Sequence, residues 1–134
     1  MKDLDIRASA MIDHVSIPVR DLARAGKFYD AVLAPLGMLR MVERERTIGY
    51  GSKYPEFWIN LRAAAVTRDD SGHHVCLRVP TEQAVHAFFA QAIETGGRSD
   101  GDPGPREAAM TSCFAAFVID LDGNKIEAVT FPRS

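Results

Sequence analysis

The sequence predicts an α+β domain built from two similar β-α-β-β-β units, and an internal repeat is the main reason. When the chain is offset by 60 residues, segments 14–37 and 74–97 share five identities. In both segments a run of β-branched residues is followed by apolar residues at helical spacing. Each unit is too small to bury one face of its own sheet, so we expect the two to pair into one body. The identical pairs are His14 and His74, Val15 and Val75, Val19 and Val79, Phe28 and Phe88, and Gly37 and Gly97.

The first module is expected at about 11–66, after a tail at 1–10 that shows no periodicity. Its first strand, at 12–19, is rich in β-branched residues. Asp21 is placed to cap the helix that follows, and Gly37 ends that segment. Gly-Ser and Tyr-Pro turn signals help to delimit the strands beyond the helix. Three short strands are predicted, at 38–45, 47–51 and 56–62.

The second module is expected at about 72–131 and repeats this order after a polar linker. A strand at 74–79 precedes a helix that Thr81 caps and that Gly96 and Gly97 end. The Gly/Pro-rich segment 99–112 is long enough for a mobile flap, although an ordinary surface loop explains it equally well. Two further strands, near 113–119 and 125–131, flank an Asp-Gly-Asn hairpin turn at 122–124.

Length, charge and cysteine content narrow the number of domains, the partners and the compartment that we expect. A length of 134 residues suits one compact domain, which we place at 11–134. The net charge of −2 comes without a basic stripe, which argues against a nucleic-acid partner. No apolar run is long enough to span a membrane, and no signal-peptide pattern is present. Cys76 and Cys113 are too few for a disulfide framework, so a cytoplasmic protein is expected.

Strand alternation places both repeated histidines on the faces opposite the branched residues. The branched faces suit packing against the helices, so His14 and His74 should point into a shared concavity. In the last strand Glu127 stands among Ile, Ala and Val, where a buried charge needs a partner. Two imidazoles and one carboxylate would bind a divalent metal and leave coordination positions open. A hydrogen-bonded histidine or a solvated glutamate remains the ordinary alternative for each residue alone.

These residues resemble the vicinal-oxygen-chelate superfamily, which includes glyoxalases, bleomycin resistance proteins and extradiol dioxygenases. The resemblance covers about 11–131 and rests on four stretches, of which the last is the most specific. They are Ile-Asp-His-Val-Ser at 12–16, Lys-Phe-Tyr-Asp-Ala-Val-Leu at 27–33, Gly-His-His-Val at 72–75 and Asp-Leu-Asp-Gly-Asn-Lys-Ile-Glu at 120–127. The resemblance implies paired βαβββ modules that form an open, cupped, mixed β-sheet with flanking helices, commonly as a homodimer.

The resemblance also implies that His14, His74 and Glu127 bind one divalent ion: Zn, Ni, Fe, Mn or Co. Glu127 would be the catalytic residue, since a metal-bound carboxylate in this family also shuttles a proton. His73 points to the opposite face, although a slipped register would exchange it with its neighbour. The fourth ligand of glyoxalase I has no clear counterpart, and Glu56 is the one candidate.

The implied function is a metal-dependent lyase, isomerase, transferase or dioxygenase that chelates a small oxygenated substrate. The alternative is a metal-free protein that sequesters a drug or another small molecule, as bleomycin resistance proteins do. Substrate contacts are predicted for Arg78, which suits a carboxylate, and for Trp58 and Tyr50 in an apolar wall. Ser16 and Cys76 follow the two histidines on the same strand faces and would either support the ligands or fill space.

Overall fold

The computed structural model describes residues 11–64 and 71–132; the first module has the predicted order of elements, and the second contains one strand in addition to its predicted segments. The first comprises β1 (Val15–Val19), α1 (Leu22–Leu33), a 3-10 turn (Ala34–Leu36), β2 (Leu39–Glu43), β3 (Thr47–Gly51) and β4 (Phe57–Leu61). The second comprises β5 (Val75–Arg78), α2 (Glu82–Glu94), β6 (Arg98–Glu107), β7 (Ser112–Ile119) and β8 (Lys125–Thr130). The predicted tail at 1–10 and most of the predicted linker lie outside the described residues.

Each module forms its own four-stranded mixed sheet, which confirms the predicted fold class. The strand orders are β1-β4-β3-β2 and β5-β8-β7-β6. In each sheet the first strand runs parallel to its neighbour, and the remaining pairs are antiparallel. The identical orders show that the 60-residue repeat in the sequence is a repeat of topology as well.

Both helices begin at the predicted caps. The Asp21 carboxylate accepts a hydrogen bond from the amide of Arg24, and the Thr81 hydroxyl accepts one from the amide of Ala84. Gly37 and Gly96 have φ angles of +81° and +105°, a conformation that lets the chain turn away after a helix at little cost. In the described part of the chain, neither helix is long and apolar enough to cross a bilayer.

One apolar core joins the two modules. It contains aromatic residues of both, among them Phe28, Tyr29 and Phe57 from the first and Phe88 from the second, all at most 1% exposed. The branched faces of the strands belong to this core, as the alternation predicts; Val19 is one example, with 0% exposure. The opposite faces of β1 and β5 are therefore left to line the outside of the sheets.

The predicted loop at 99–112 is wrong, because most of it is strand β6, ten residues long. This strand lies at the edge of its sheet and pairs with β7 alone. An edge position tolerates Pro103 and Pro105, because a missing amide hydrogen there costs no bond to a second neighbour. The register shifts between Ser99 and Gly104, and these bulge-like irregularities accommodate the glycines. The segment is therefore ordered structure, and no flap is assigned to it.

The Asp-Gly-Asn turn between β7 and β8 is confirmed, and it connects the two modules. Asp120 accepts hydrogen bonds from the Tyr29 hydroxyl (2.6 Å), the backbone amides of Asp122 and Asn124, and the Asn124 side-chain amide. The same amide donates to the carbonyl oxygen of Pro18, and Arg20 donates to Asp122. The most family-specific stretch of the sequence thus has a structural role at the module interface, apart from Glu127 at its end.

Two buried tyrosines predict how stability depends on alkaline pH. Burial, and next the Asp120 carboxylate, raises the pKa of Tyr29 well above its usual value. Burial, and next Asp30, likewise raises the pKa of Tyr50. Because the folded state holds these protons more tightly than the unfolded chain does, stability should fall as pH rises above about 10, by about 1.4 kcal/mol per pH unit for each tyrosine.

Urea unfolding measured between pH 9 and pH 11 checks this expectation. The tyrosinate absorbance of Tyr29 and Tyr50 should appear only on unfolding. In the Tyr29→Phe variant the free energy of unfolding should fall less steeply with pH, because one proton fewer is released on unfolding. Ionisation of both residues in the native state, without loss of structure, would contradict the expected burial effect.

Candidate functional site

Two of the three predicted metal ligands lie side by side in the second module. His74 stands directly before β5, and Glu127 lies in β8, opposite Cys76 in the parallel pairing. The imidazole Nε2 of His74 and the Oε1 of Glu127 are 3.0 Å apart. Their side chains are 38% and 13% exposed, respectively. The parallel register therefore assembles an imidazole and a carboxylate at the margin of the sheet.

The Glu127 carboxylate has largely apolar surroundings. Phe117 lies opposite Glu127 in β7, and its ring centroid is 5.7 Å from that of His74. Burial, and next the nearby Glu127 carboxylate, raises the pKa of the Cys76 thiol to about 12. A carboxylate that is mostly removed from water needs a positive or hydrogen-bonding partner. His74 and the Cys76 thiol supply such hydrogen-bonding partners, and the pair of imidazole and carboxylate suits a divalent cation.

The third predicted ligand is not assembled with this pair. His14 stands directly before β1, its side chain is 53% exposed, and its Nδ1 lies 2.8 Å from the Asp13 carboxylate. His14 and His74 line one cleft of about 390 Å³, which Glu56 also borders. Within residues 11–64 and 71–132, however, no three His, Cys, Asp or Glu side chains are grouped to hold a metal.

The strand register identifies what replaces a fourth ligand in the first module. Cys76 lies opposite Glu127 in the second module, and Ser16, its counterpart in the repeat, lies opposite Trp58. Trp58 therefore occupies the place in β4 that Glu127 occupies in β8. Glu56 is two residues earlier and exposed, so it does not share that place. An indole thus stands where a symmetric site would have a second carboxylate.

Trp58 lies on the same face as His14 and is held by close packing. Its indole lies over Gly49, where an added Cβ would come within 2.9 Å of the ring. The His14 ring meets it edge-on at 6.5 Å, and the guanidinium carbon of Arg44 is 5.8 Å from its centroid. Trp58 therefore remains a candidate for one wall of the ligand site.

Tyr50 lies on the other face, and its predicted place in the pocket wall is wrong. Its side chain is 0% exposed, and its hydroxyl donates to the Gly26 carbonyl oxygen and to Asp30. Alternation along β3 explains the difference, because Tyr50 follows Gly49, which lies beneath the indole. Tyr50 fixes α1 to the sheet instead of contacting a ligand.

The remaining candidates keep the faces that alternation predicts. Arg78 ends β5, and its guanidinium carbon is 4.6 Å from the centre of the Phe131 ring. Ser16 accepts a hydrogen bond from the Asn60 amide, which gives it a structural partner. The adjacent His73 is exposed and is hydrogen-bonded to Ser71, away from Glu127. Of the two neighbouring histidines, the structure pairs His74 with the carboxylate.

Sequence reasoning missed three residues on the Glu127 face: Phe117, Cys113 and Arg106. Phe117 lies opposite Glu127, and Cys113 is further along the same strand face, opposite Arg106 in β6. The signal for Phe117 was present, because the Asp-Gly-Asn turn sets the register of the β7–β8 hairpin. Arg106 was hidden by the mistaken assignment of β6 as a loop.

The chain matches the family model of the glyoxalase/bleomycin resistance protein/dioxygenase superfamily over residues 11–128. It belongs to this superfamily. A glyoxalase/bleomycin resistance protein from Albidiferax ferrireducens is 31% identical, with a TM-score of 0.82, and the match covers 91% of this chain and 100% of that one. Among curated proteins the chain has no match.

More distant solved structures share the fold. A glyoxalase/bleomycin resistance protein/dioxygenase from Alicyclobacillus acidocaldarius is 20% identical, with a TM-score of 0.65 and 90% of each chain covered. A fosfomycin resistance protein from Listeria monocytogenes is 12% identical, with a TM-score of 0.67 and coverage of 92% of this chain and 94% of that one. These similarities show the fold alone, so the reaction has to be argued from the residues of the site.

Proposed function

We propose that this protein is a metal-dependent enzyme that chelates a small oxygenated substrate, in a lyase, isomerase, transferase or dioxygenase reaction. The observation that carries the proposal is the contact between His74 and Glu127. An imidazole and a mostly buried carboxylate that lie 3.0 Å apart are two donors that one divalent ion can share. We propose Zn, Ni, Fe, Mn or Co as the ion, because all accept two histidines and one carboxylate.

His14 completes this ligand set in the proposal, and a second copy of the chain supplies it. Within the described residues of one chain His14 is not grouped with the pair. It is, however, half exposed in the cleft that His74 also lines, so a partner can reach both. In a two-fold dimer each chain would give its His14 to the other chain's His74 and Glu127, which makes two equal sites.

The bound ion and the residues near His74 and Glu127 would have separate roles in substrate binding and proton transfer. The bound ion supplies Lewis-acid polarisation of substrate oxygens. Glu127 keeps one carboxylate oxygen free of His74, and that oxygen would accept and return a substrate proton. The apolar surroundings of Glu127 favour this role, because they exclude competing water. Trp58 would form a wall, and the Arg78 guanidinium would orient an anionic group.

Metal analysis of protein purified without an affinity tag tests the proposal. The purified protein, or metal-free protein titrated with Co(II), should hold about one ion per chain. Diols, thiols and hemithioacetals should then be screened for changes in the Co(II) spectrum. A protein that contains no metal and takes none up would overturn the enzyme proposal, and spectra that no such compound changes would overturn substrate chelation.

A metal-free binding protein is the second candidate. The observation that favours it is that the described residues of one chain bring only two of the three donors together. In that case His14→Ala and His74→Ala would leave ligand binding unchanged, and metal would be absent from active preparations. Both cysteines are free, which suits the reducing cytoplasm that we propose for either function.

A further inference from the structure

A chain of hydrogen bonds leads from the loop between β3 and β4 to His14 in the first module. The Tyr54 hydroxyl donates to both carboxylate oxygens of Asp13, at 2.8 and 3.1 Å. The Oδ2 atom of Asp13 also lies 2.8 Å from Nδ1 of His14. The side chains of His14 and Asp13 are about half exposed, and an ion pair so open to water adds little to stability. The contacts therefore bear on the orientation of the His14 ring more than on the stability of the fold.

The backbone of the loop fixes the position of Tyr54. The loop closes tightly over Gly51, where an added Cβ would overlap the carbonyl oxygen of Tyr54. At its end, the amide of Val15 donates to the carbonyl oxygen of Glu56, with a distance of 2.9 Å. Because Val15 directly follows His14, this bond joins the loop to the start of β1. The loop is therefore a fixed support for the Tyr54 hydroxyl.

The Asp13 carboxylate determines which nitrogen of His14 carries the proton. An ionised carboxylate only accepts hydrogen bonds, so the hydrogen between Asp13 and the ring belongs to Nδ1. The lone pair of the neutral ring is then on Nε2, which is the nitrogen left to bind an ion. Without such a partner a histidine exchanges between both tautomers and favours Nε2–H in water, a form whose Nε2 has no lone pair for a metal.

The two modules orient their histidines with different carboxylates. In the second module Glu127 contacts Nε2 of His74. The first module has Trp58 at the place of Glu127, and Asp13 approaches its histidine at Nδ1 instead. The carboxylate that orients the first histidine therefore lies on the opposite side of the ring from Nε2. This arrangement suits a ligand that joins an imidazole and a carboxylate already assembled elsewhere.

We infer that Asp13 and Tyr54 are positioning residues for His14, which hold its ring as the Nδ1–H tautomer and leave Nε2 to the metal ion. The inference rests on the proposed function in making His14 a ligand, whereas the tautomer is a property of the metal-free chain. A carboxylate of this kind fixes the ring and raises the basicity of the nitrogen that binds the metal. Its loss weakens metal binding, because only the fraction of rings in the competent tautomer can bind.

Nitrogen NMR of isotope-labelled, metal-free protein tests the tautomer directly. At a pH at which imidazole is neutral, the ring nitrogens of His14 should have the chemical shifts of the Nδ1–H form. Asp13→Ala should move the ring toward Nε2–H, and Asp13→Asn should retain part of the preference, because its amide oxygen still accepts. Tyr54→Phe should produce a smaller change than Asp13→Ala. An unchanged tautomer in Asp13→Ala would overturn the inference.

A matched control separates the hydrogen bond from the charge. Glu56 also borders the cleft of His14, and Glu56→Gln removes one negative charge there. This variant should leave the His14 tautomer at the wild-type ratio. A change as large as that in Asp13→Ala would show that charge in the cleft sets the tautomer, and this result would also overturn the inference.

Co(II) affinity distinguishes the inference from the proposed function. Asp13→Ala should bind Co(II) about ten- to a hundredfold more weakly than the wild-type protein, with an unchanged far-UV circular dichroism spectrum. Asp13→Asn should lie between the two. If the wild-type protein binds no Co(II), the proposed function fails and the NMR result alone decides the inference. If it binds Co(II) and Asp13→Ala binds equally well, Asp13 does not position the ligand.

Discussion

The homodimers of Glu127→Gln and of His14→Ala should not bind Co(II). A heterodimer of one Glu127→Gln chain and one His14→Ala chain should regain about half of the wild-type Co(II) sites. The expectation follows from the proposed sharing of ligands between chains. In such a heterodimer one site combines both substitutions, and the other combines an intact His14 with an intact His74 and Glu127. The heterodimer can be isolated from co-expressing cells with two different tags that do not bind metal.

Co(II) binding by a control variant and by the heterodimer distinguishes the possible origins of the ligands. His73→Ala changes the histidine adjacent to His74 and should leave Co(II) binding at the wild-type level, because His73 is bonded to Ser71. A heterodimer without any site would place all three ligands in one chain. A full complement of sites in His14→Ala itself would remove His14 from the ligand set.

Asp120→Ala should destabilise the protein by about 3–4 kcal/mol, the largest effect that we expect away from the metal ligands. Asp120 is 6% exposed and accepts four hydrogen bonds. Removal of the carboxylate leaves the Tyr29 hydroxyl and two backbone amides without this acceptor in a buried site, and the Asn124 side chain keeps only its other partners, such as the Pro18 carbonyl oxygen. Because Tyr29 belongs to the first module and Asn124 to the second, the contact between modules should weaken as well.

Urea unfolding followed by circular dichroism measures this effect. The midpoint urea concentration should fall, while the dependence of the free energy of unfolding on urea concentration stays unchanged. Tyr29→Phe removes one of the four donors and should cost about 1 kcal/mol. Asp100→Ala is the matched control, because this exposed carboxylate forms a surface ion pair with Lys125 that should contribute less than about 1 kcal/mol. A loss of less than 1 kcal/mol in Asp120→Ala would show that the turn does not hold the modules together.

Much of the site's orientation was predictable, because it depends on local periodicity. Strand alternation correctly separated Val19 from the exposed side of β1, and it distinguished His74 from His73. The Asp-Gly-Asn turn correctly predicted the hairpin that carries Glu127. These features depend on neighbours a few positions away, which a single sequence displays directly.

The errors have a different physical origin. Glycines and prolines at 99–112 disfavour a strand locally, but an edge position with bulges accommodates them, and only the neighbouring β7 makes that position available. Tyr50 was misplaced because an aromatic residue suits a pocket wall and a core equally well. Its burial under α1 is decided by contacts with Gly26 and Asp30, which are distant in sequence.

By itself, the sequence determined that the chain is a pair of repeated modules with a histidine ahead of the first strand of each. It also predicted that His14 and His74 lie opposite the branched faces of their strands, since repeats and strand alternation are properties of the chain alone. The tertiary structure decided that Trp58 is the counterpart of Glu127, and that His14 stands apart from the pair. Registers and distances between modules arise from packing between distant segments, and such packing leaves no periodic trace in a sequence.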